Sequence, residues 1–308
     1  MTTLLYHHSA CLEHLNPPGH PERPDRLRAV EHALEDEKFQ YLHREEAPLG
    51  DEALFELAHP AAHVKRVKAL IPENGMVRID GDTAASPGSW EAALRALGAA
   101  TAAVDAVFAG EANNAFCAIR PPGHHAEKAT AMGFCLFNTI AVAARHAQQR
   151  HGAERVAIVD FDVHHGNGTQ DIFWDDASVL FASTHQMPLY PGTGALNETG
   201  VGNIVNAPLR DGDDGNHFRE AFLTRILPAV DAFKPDLILI SAGFDAHIRD
   251  PLAGLRLVAN DFDWATGKIM DLAQKHCDNR VVSLLEGGYD LVGLAESAAA
   301  HVNRLATG

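Results

Sequence analysis

The chain has 308 residues, of which 46% are apolar and 21% charged, a composition that is ordinary for a soluble globular protein. Its 41 acidic residues outnumber its 25 basic ones and give a formal net charge of −16, so it lacks the basic surface that nucleic-acid binding requires. A basic peptide tail or a polyamine would be attracted to such a surface, although an acidic surface also serves solubility alone.

Cysteine usage and the N-terminal sequence bear on the compartment. The four cysteines, at positions 11, 117, 135 and 277, are widely spread and form no C-x-x-C pair. This pattern favours a reducing compartment and argues against a thiolate zinc site. The N-terminal sequence MTTLLYHHSA lacks the features of a secretion signal, and no apolar run approaches the roughly 20 residues of a membrane span. We therefore expect a soluble cytoplasmic protein that does not bind membranes.

Short apolar runs alternate with helical patterns along the chain, without a linker or an internal repeat, and this predicts one domain over residues 1–308. Strands are predicted, in chain order, at 115–119, 155–159, 179–183, 237–241 and 281–285. They are almost continuously apolar, as expected for parallel strands covered on both faces. Helices are predicted at 24–37, 89–109, 134–150, 216–232, 260–276 and 290–305, the second with Ser89 as its N-cap and Gly110 as its stop. The alternation predicts a doubly wound α/β sheet.

Each predicted strand runs into a polar, glycine-rich or titratable segment. In order, these segments are RPPGHHAE, DFDVHHGNGTQ, THQ, AGFDAHIRDP and EGGYD. Ligand sites in open parallel sheets form beyond the carboxyl ends of the strands, and a random distribution of polar loops would not prefer one edge. The sequence therefore predicts an active site at this edge.

The second segment predicts a metal site. Side chains two residues apart in an extended chain share a face, so Asp160, Asp162 and His164 point the same way where the strand ends. Burying two carboxylates without a cation would be costly, which favours a divalent metal over solvated loop acids. Asp245, after an apolar strand and a glycine, is the best third ligand, and an Asp/His/Asp set leaves positions open for water and substrate. These ligand types accommodate Zn²⁺ or Fe²⁺ alike.

The tandem histidines of RPPGHHAE predict proton transfer. His124 and His125 stand side by side at a strand end, where a lone histidine would more often be structural. Each imidazole needs a partner that orients it, and Asp160 and Asn167 are available. Because an Asp partner raises the basicity of its histidine and an Asn partner does not, the pair can hold different protonation states.

Other titratable residues near this edge have different predicted roles. Tyr289 follows two glycines in EGGYD, where a phenol can donate to a developing oxyanion instead of filling the core. Asp236 precedes its strand and Asp250 precedes a proline in a predicted turn, so both are weaker third ligands. His165 is on the opposite face from its neighbouring ligand and is predicted to be structural.

The motifs HHSACLEH, HPERPDRL, RPPGHHAE, GFCLFN, VDFDVHHGNGTQ, SAGFDAH-x3-PL and LEGGYD, in this order, resemble the histone deacetylase family, closest to its class II branch and bacterial relatives. The resemblance extends from His7 to Tyr289. It implies the arginase-deacetylase fold, with a mainly parallel sheet of about eight strands between two layers of helices. Arginase-like ureohydrolases share this fold, but Gly166 and His247 stand where their second metal needs carboxylates.

The resemblance also implies a reaction, the zinc-dependent hydrolysis of N-acetyl-lysine or longer acyl-lysine amides. Zinc would be held by the matching residues Asp162, His164 and Asp245. His125 would act as general base and then general acid, with His124 as its electrostatic partner. Tyr289 would polarise the acyl carbonyl, while Asp160 and Asn167 orient the histidines.

Further positions match the substrate tunnel and a cation site. The substrate-binding positions are Asp82, Gly133, Phe134, Tyr190 and Leu252, of which Phe134 and Tyr190 match the tunnel aromatics and Asp82 the anchor for the substrate main chain. The family's inner potassium site matches Asp160, Asp162, His164, Ser183 and Thr184.

The substrate class has a serious alternative. Acetylpolyamine deacetylases of this kind carry an acidic gatekeeper at the tunnel mouth, and the matching residue here is Leu252, which favours acyl-lysine; the net charge of −16 suits a polyamine. A non-catalytic acyl-lysine-binding module would lack a metal ligand or Tyr289, and every such position is filled. The natural substrate, the acyl-chain preference and the oligomeric state are not predicted.

Overall fold

The computed structural model describes residues 1–308 and is built around one sheet of eight strands, in which every pair of neighbours is parallel. The spatial order is β2-β1-β5-β10-β9-β6-β7-β8. These strands are β1 (Thr3–His7), β2 (His43–Glu46), β5 (Asn114–Ala118), β6 (Val156–Asp160), β7 (Val179–Gln186), β8 (Ile204–Leu209), β9 (Leu237–Ala242) and β10 (Val281–Leu285). Two short strands, β3 (Val77–Arg78) and β4 (Ala84–Ala85), pair separately as an antiparallel ribbon.

Helices pack in two groups against the sheet, which gives the predicted arginase-deacetylase architecture. The helices are α1 (Pro24–Ala33), α2 (Ala61–Leu70), α3 (Ser89–Ala109), α4 (Thr139–His151), α5 (Asn167–Phe173), α6 (Gly215–Ala221), α7 (Leu227–Phe233), α8 (Ala259–His276) and α9 (Leu291–Thr307). A π-helical turn joins α6 to α7, and three 3-10 turns lie at Ser9–Leu12, Glu37–Phe39 and Glu52–Leu57. α3 packs on α4, β5 and β10, whereas α9 packs on α1, α8 and β5. Because their strands are covered, β5, β6, β7, β9 and β10 consist entirely of buried residues.

Several predicted bounds need correction. The first helix ends at Ala33 rather than at residue 37, because a 3-10 turn follows it. The helix predicted from residue 134 begins at Thr139, since the Asn138 side chain caps it by accepting from the Ala141 N–H at 3.0 Å. Gly88, not Ser89, is the N-cap of α3, whereas Gly110 ends that helix in the left-handed conformation, as predicted.

Helix α3 also corrects the expectation about apolar runs. By length and hydropathy it passes the test for a membrane span, and 72% of the tested window is buried inside the fold. Its alanine-rich surface packs between α4 and the sheet. The hydropathy of this segment is therefore accounted for by its place in the core.

Candidate active site

Three side chains at the carboxyl ends of β6 and β9 form a buried cluster of metal-ligating atoms. Nδ1 of His164 lies 3.2 Å from Oδ1 of Asp162 and 3.0 Å from Oδ2 of Asp245. One donor atom from each residue lies within 4.8 Å of the others. Asp245 is 81 residues from His164 in sequence, and they meet because β6 and β9 are neighbours in the sheet. The structure thus brings the three predicted metal ligands together.

The main chain around these carboxylates is shaped to hold them. The N–H of Val163 donates to Oδ1 of Asp245 at 2.8 Å, and the N–H of Gly287 donates to Oδ2 of Asp162 at 2.9 Å. A Cβ on Gly287 would lie 2.2 Å from Oδ2 of Asp245, and one on Gly243 would lie 1.9 Å from Oδ2 of Asp162. Only glycine allows the carboxylates this close approach, so their positions are fixed before any ligand binds.

The electrostatics of the cluster fit a divalent cation. Asp162 and Asp245 are each 1% exposed. Burial raises the pKa of Asp245, as does the charge of Asp162. Burial would also raise the pKa of Asp162, but His124 and His164 hold it well below its ordinary range. Burial opposes the charge on His164, yet hydrogen bonds to both carboxylates raise its pKa to about 10. Two buried acids that need a positive neighbour, with one imidazole, form a donor set that a metal such as zinc suits.

The tandem histidines follow β5, and each has one of the two expected residues, Asp160 or Asn167, as its hydrogen-bond partner. Nδ1 of His124 lies 2.9 Å from Oδ2 of Asp160, and Nδ1 of His125 lies 2.8 Å from Oδ1 of Asn167. Burial opposes the charge on His124, but Asp162 and Asp160 raise its pKa well above the ordinary value. Burial and the charge of His124 lower the pKa of His125 well below it. The surroundings therefore favour the charged form of His124 and the neutral form of His125, so the two imidazoles can take different roles.

Glu286 is a buried acid at the end of β10 for which the sequence motifs predict no role. Its Oε2 accepts hydrogen bonds from the N–H groups of Gly123, at 2.7 Å, and His124, at 3.2 Å. It is 1% exposed, and burial raises its pKa to about 7. Glu286 therefore fixes the main chain that carries the tandem histidines. The signal that points to it is an acid directly after an apolar strand, in LEGGYD.

A buried ion-pair network supports the turn before Tyr289. Arg26 donates to two main-chain carbonyls of the EGGYD turn, and its guanidinium lies 4.9 Å from the centre of the Tyr289 ring. Glu22 pairs with Arg26, at 3.2 Å, and with Arg120. All three charged residues are fully buried. The motif HPERPDRL, which contains Glu22 and Arg26, thus holds the turn before Tyr289 in place, although it lies near the N-terminal end of the chain.

A pocket of about 270 Å³ leads from the protein surface to the cluster formed by Asp162, His164 and Asp245. Its lining contains His125 and His164, which are buried, and Tyr190 and Leu252, which are 38% and 36% exposed. The exposed pair therefore lies at the mouth and the histidines at the inner end. The full lining is Asp82, His125, Gly133, Phe134, His164, Leu189, Tyr190, Leu252 and Tyr289. It includes all five predicted substrate-binding residues.

One wall of the pocket is a tight turn at Gly133 and Phe134, with φ values of 58° and 68°. A Cβ on Gly133 would lie 2.5 Å from the His125 ring, so this position requires glycine. The turn is held by hydrogen bonds from the Gly133 N–H to Oδ1 of Asp82, at 3.2 Å, and from the Phe134 N–H to the Thr83 hydroxyl, at 3.0 Å. Asp82 thus supports the pocket wall in addition to lining the pocket.

Asp250 supports two other residues of the pocket lining, Tyr289 and Leu252. Its Oδ2 accepts from the Tyr289 N–H at 2.7 Å, and its Oδ1 accepts from the Leu252 N–H at 3.0 Å. Burial and the charge of Asp245 raise its pKa to about 7. Asp250 is not one of the clustered metal-ligating residues; it joins the residue at the pocket mouth to the tyrosine at the inner end.

The residues that match the cation site also lie together. Ser183 is the register partner of Asp160 across β6 and β7, and the Oδ1 of Asp160 accepts from the Asp162 N–H at 3.1 Å. The hydroxyl of Thr184 is buried and has no hydrogen-bond partner. Because Thr184 directly follows Ser183 in β7, its side chain points to the other face of the sheet, so this hydroxyl does not lie beside that of Ser183.

Two further predictions concern residues outside the cluster. Nδ1 of His165 lies 2.7 Å from the Thr193 hydroxyl, and its ring packs on His185 with 4.6 Å between centroids, so it has a structural environment. Asp236 accepts from the Arg155 N–H at 2.8 Å, at the amino end of β6. This is the edge of the sheet opposite the metal cluster.

A family model, two related proteins and a solved structure all match this chain over most of its length. The family model described as histone deacetylase domain matches residues 20–305. The chain is 40% identical over 317 residues to histone deacetylase 10, chloroplastic, of Oryza sativa subsp. japonica, covering 96% of this chain and 71% of the relative. It is 42% identical over 280 residues to the histone deacetylase-like amidohydrolase of Pseudomonas aeruginosa, covering 88% and 73%. The crystal structure of the HDA15 HD domain matches with a TM-score of 0.92 at 37% identity, over 98% of this chain and 88% of that one.

Proposed function

The chain belongs to the histone deacetylase family and is a hydrolytic deacetylase, and from this premise we propose that it removes acetyl, or longer acyl, groups from lysine side chains in a zinc-dependent reaction. The observation that carries the proposal is the buried Asp162, His164 and Asp245 cluster at the inner end of a narrow pocket. His125 and Tyr289 line the same pocket. A metal site, a base and a phenol thus converge on one small volume, as amide hydrolysis requires.

Zinc held by Asp162, His164 and Asp245 would act as a Lewis acid toward water and the acyl carbonyl. His125, kept neutral by burial and by the charge of His124, accepts the proton of the attacking water. It then delivers this proton to the leaving lysine amine.

The developing negative charge on the carbonyl oxygen is met by two groups of this chain. Tyr289 donates from its hydroxyl, and its pKa, raised well above the ordinary value by burial, keeps the phenol protonated. The other group is His124, which lies beside His125 and pairs with Asp160. Its raised pKa favours the imidazolium form, whose positive charge stabilises negative charge at the inner end of the pocket. Neither group changes charge during the attack, so little reorganisation is needed.

Acyl-lysine is favoured over acetylpolyamine by the mouth of the pocket. Leu252 there offers an apolar surface to the methylene chain of lysine and no carboxylate for the second amine of a polyamine. Phe134 and Tyr190 supply aromatic surface along the same path. The net charge of −16 is the observation that favours the polyamine.

Three further proposals accompany this function. Fe²⁺ is an alternative ion for the same ligands. A structural potassium ion would occupy the site around Asp160, Ser183 and Thr184, and the pairing of Asp160 with Ser183 across β6 and β7 supports it. A cytoplasmic location is supported by the four cysteines, all free and buried.

A kinetic panel tests the substrate assignment. The zinc-loaded protein is assayed on acetyl-lysine peptides, longer acyl-lysine peptides and acetylated polyamines, and we expect the highest kcat/KM on a peptide. Leu252→Glu should shift the peptide-to-polyamine ratio of kcat/KM by about tenfold or more toward polyamines. Leu252→Gln is the matched control, because glutamine has the size of glutamate without its charge. It should not shift this ratio. A wild-type preference for acetylpolyamines would overturn the acyl-lysine assignment.

A further inference from the structure

A second cluster of metal-ligating side chains lies far from the pocket. Asp105 in α3 faces His146 and His151 in α4, and one donor atom from each lies within 4.8 Å of the others. The residues that follow α3 and α4 lead into the starts of β5 and β6. The cluster therefore stands at the edge of the sheet where strands begin, whereas Asp162 and its partners lie beyond the strand ends. The proposed deacetylase reaction uses none of the three residues.

Both imidazoles point to the same carboxylate oxygen. Nε2 of His146 lies 2.7 Å from Oδ1 of Asp105, and Nε2 of His151 lies 2.6 Å from it. The histidines are 41 and 46 residues from Asp105 in sequence, so the packing of two helices, not local geometry, creates the contact. Two imidazole nitrogens and one carboxylate oxygen already converge on one small space.

Packing restricts the His151 ring. It stacks on Phe108 with 4.7 Å between ring centroids and 4° between ring planes. Arg280 also lies over Phe108, but its charge has a partner of its own in Asp278. His151 ends α4 and Gly152 follows it in the left-handed conformation, so the ring sits at the helix end where positive charge is favoured. A ring held in this way loses little freedom when it binds an ion.

We propose that Asp105, His146 and His151 form a second zinc site, separate from the active site. Imidazole suits zinc and similar transition metals, whereas magnesium and calcium prefer all-oxygen sites. The side chains are 50%, 12% and 20% exposed respectively, so an ion reaches them from solvent and water completes its coordination. The bound ion links α3 to α4 and stabilises the native state by mass action.

Zinc stoichiometry of the full chain tests the proposal independently of any deacetylase activity. In equilibrium dialysis against Zn²⁺, the wild-type protein should bind about two ions per chain, and Asp162→Asn, which removes an active-site ligand, should retain about one. Adding His151→Gln to Asp162→Asn should remove the remaining ion. Zinc should raise the Tm of Asp162→Asn and should not raise that of the double variant.

The chain offers a matched control in another surface pair. Nε2 of His276 lies 2.6 Å from Oδ1 of Asp231, but that carboxylate has a lysine, not a second imidazole, as its other partner. His276→Gln should therefore leave the zinc count unchanged. Asp105→Asn, which keeps the size of the side chain, gives a second test if His151→Gln does not fold. The proposal is wrong if Asp162→Asn binds no zinc with a Kd tighter than about 100 µM, or if the added substitution leaves that zinc bound.

Discussion

Replacing Gly287 by alanine adds a single methyl group, and we expect this change to weaken zinc binding at the active site. The new Cβ would lie 2.2 Å from Oδ2 of Asp245 and 2.5 Å from Oδ2 of Asp162, whereas real Cβ atoms essentially never approach below 3.0 Å. One oxygen must therefore move by at least 0.8 Å and the other by at least 0.5 Å, or the turn must shift by as much. Metal ligands must be held to a few tenths of an ångström.

This displacement sets the expected size of the effect. Disturbing the groups that orient metal ligands typically costs about 10–100-fold in metal affinity, so zinc affinity should fall by about that factor, or about 1.4–2.7 kcal/mol at 1.36 kcal/mol per tenfold change. Overpacking should also lower the free energy of unfolding of the metal-free protein by about 1–3 kcal/mol. The amount of bound zinc, measured over a series of free zinc concentrations, gives the change in affinity. Urea unfolding gives the change in the free energy of unfolding.

A matched glycine provides the control for Gly287→Ala. Gly267 lies within α8, and a Cβ there would meet only the Arg304 side chain, at an ordinary 3.4 Å. Gly267→Ala should keep full zinc affinity and gain up to about 1 kcal/mol of stability, because alanine is the better helix former. If Gly287→Ala binds active-site zinc as tightly as Gly267→Ala does, the carboxylates are not held against the glycine turn.

Three further predictions test other parts of the site and the core. Tyr289→Phe should keep its zinc and lower kcat by about 100-fold or more, since only the oxyanion donor is lost. Asp250→Asn cannot accept from both the Tyr289 and Leu252 N–H groups, so kcat/KM should fall by about tenfold, as one buried donor is left unpaired. Burial lowers the pKa of His301 to about 3 from its ordinary 6.5, so the unfolded chain binds the extra proton and wild-type stability is lost as the pH falls below 6.5. Between pH 7.5 and pH 5, wild type should therefore lose about 2 kcal/mol more stability than His301→Gln in urea unfolding.

Each of these predictions has an outcome that contradicts it. An unchanged kcat in Tyr289→Phe would exclude the phenol as the donor to the carbonyl oxygen. Wild-type kinetics in Asp250→Asn would show that the link between the pocket mouth and Tyr289 does not matter for turnover. A stability difference between wild type and His301→Gln that stays constant with pH would mean that His301 titrates alike in the folded and unfolded chains.

Sequence patterns located the buried strands well because these strands are continuously apolar. β6, predicted at 155–159, is found at Val156–Asp160, and β10 at 281–285 has the predicted bounds. Three strands of the eight-stranded sheet, β1, β2 and β8, have no predicted counterpart. The clearest is β2, whose four residues HREE are all exposed at the sheet edge, so no apolar pattern marks it.

The motifs also predicted Asp160 and Asn167 as the partners of the tandem histidines, since all four residues follow strands at the same edge of a parallel sheet. That Asp160 pairs with His124 and Asn167 with His125 is seen only in the structure. The motifs predicted no role for Glu286, Arg26 or Glu22. Their partners are main-chain groups and buried charges contributed by distant segments, and a sequence pattern does not show which acid reaches which amide.

The sequence by itself determined the chemistry at the carboxyl edge of the sheet. Residue type and strand periodicity decide which metal-ligating and hydrogen-bonding groups stand at the end of each strand. Only the tertiary structure decided which of these donors meet. The order β10-β9-β6 brings Asp245 and Gly287 against Asp162, and Asp250 became a link between the mouth and the inner end of the pocket. Strand order and helix packing are set by burial summed over the whole core, which no local segment contains.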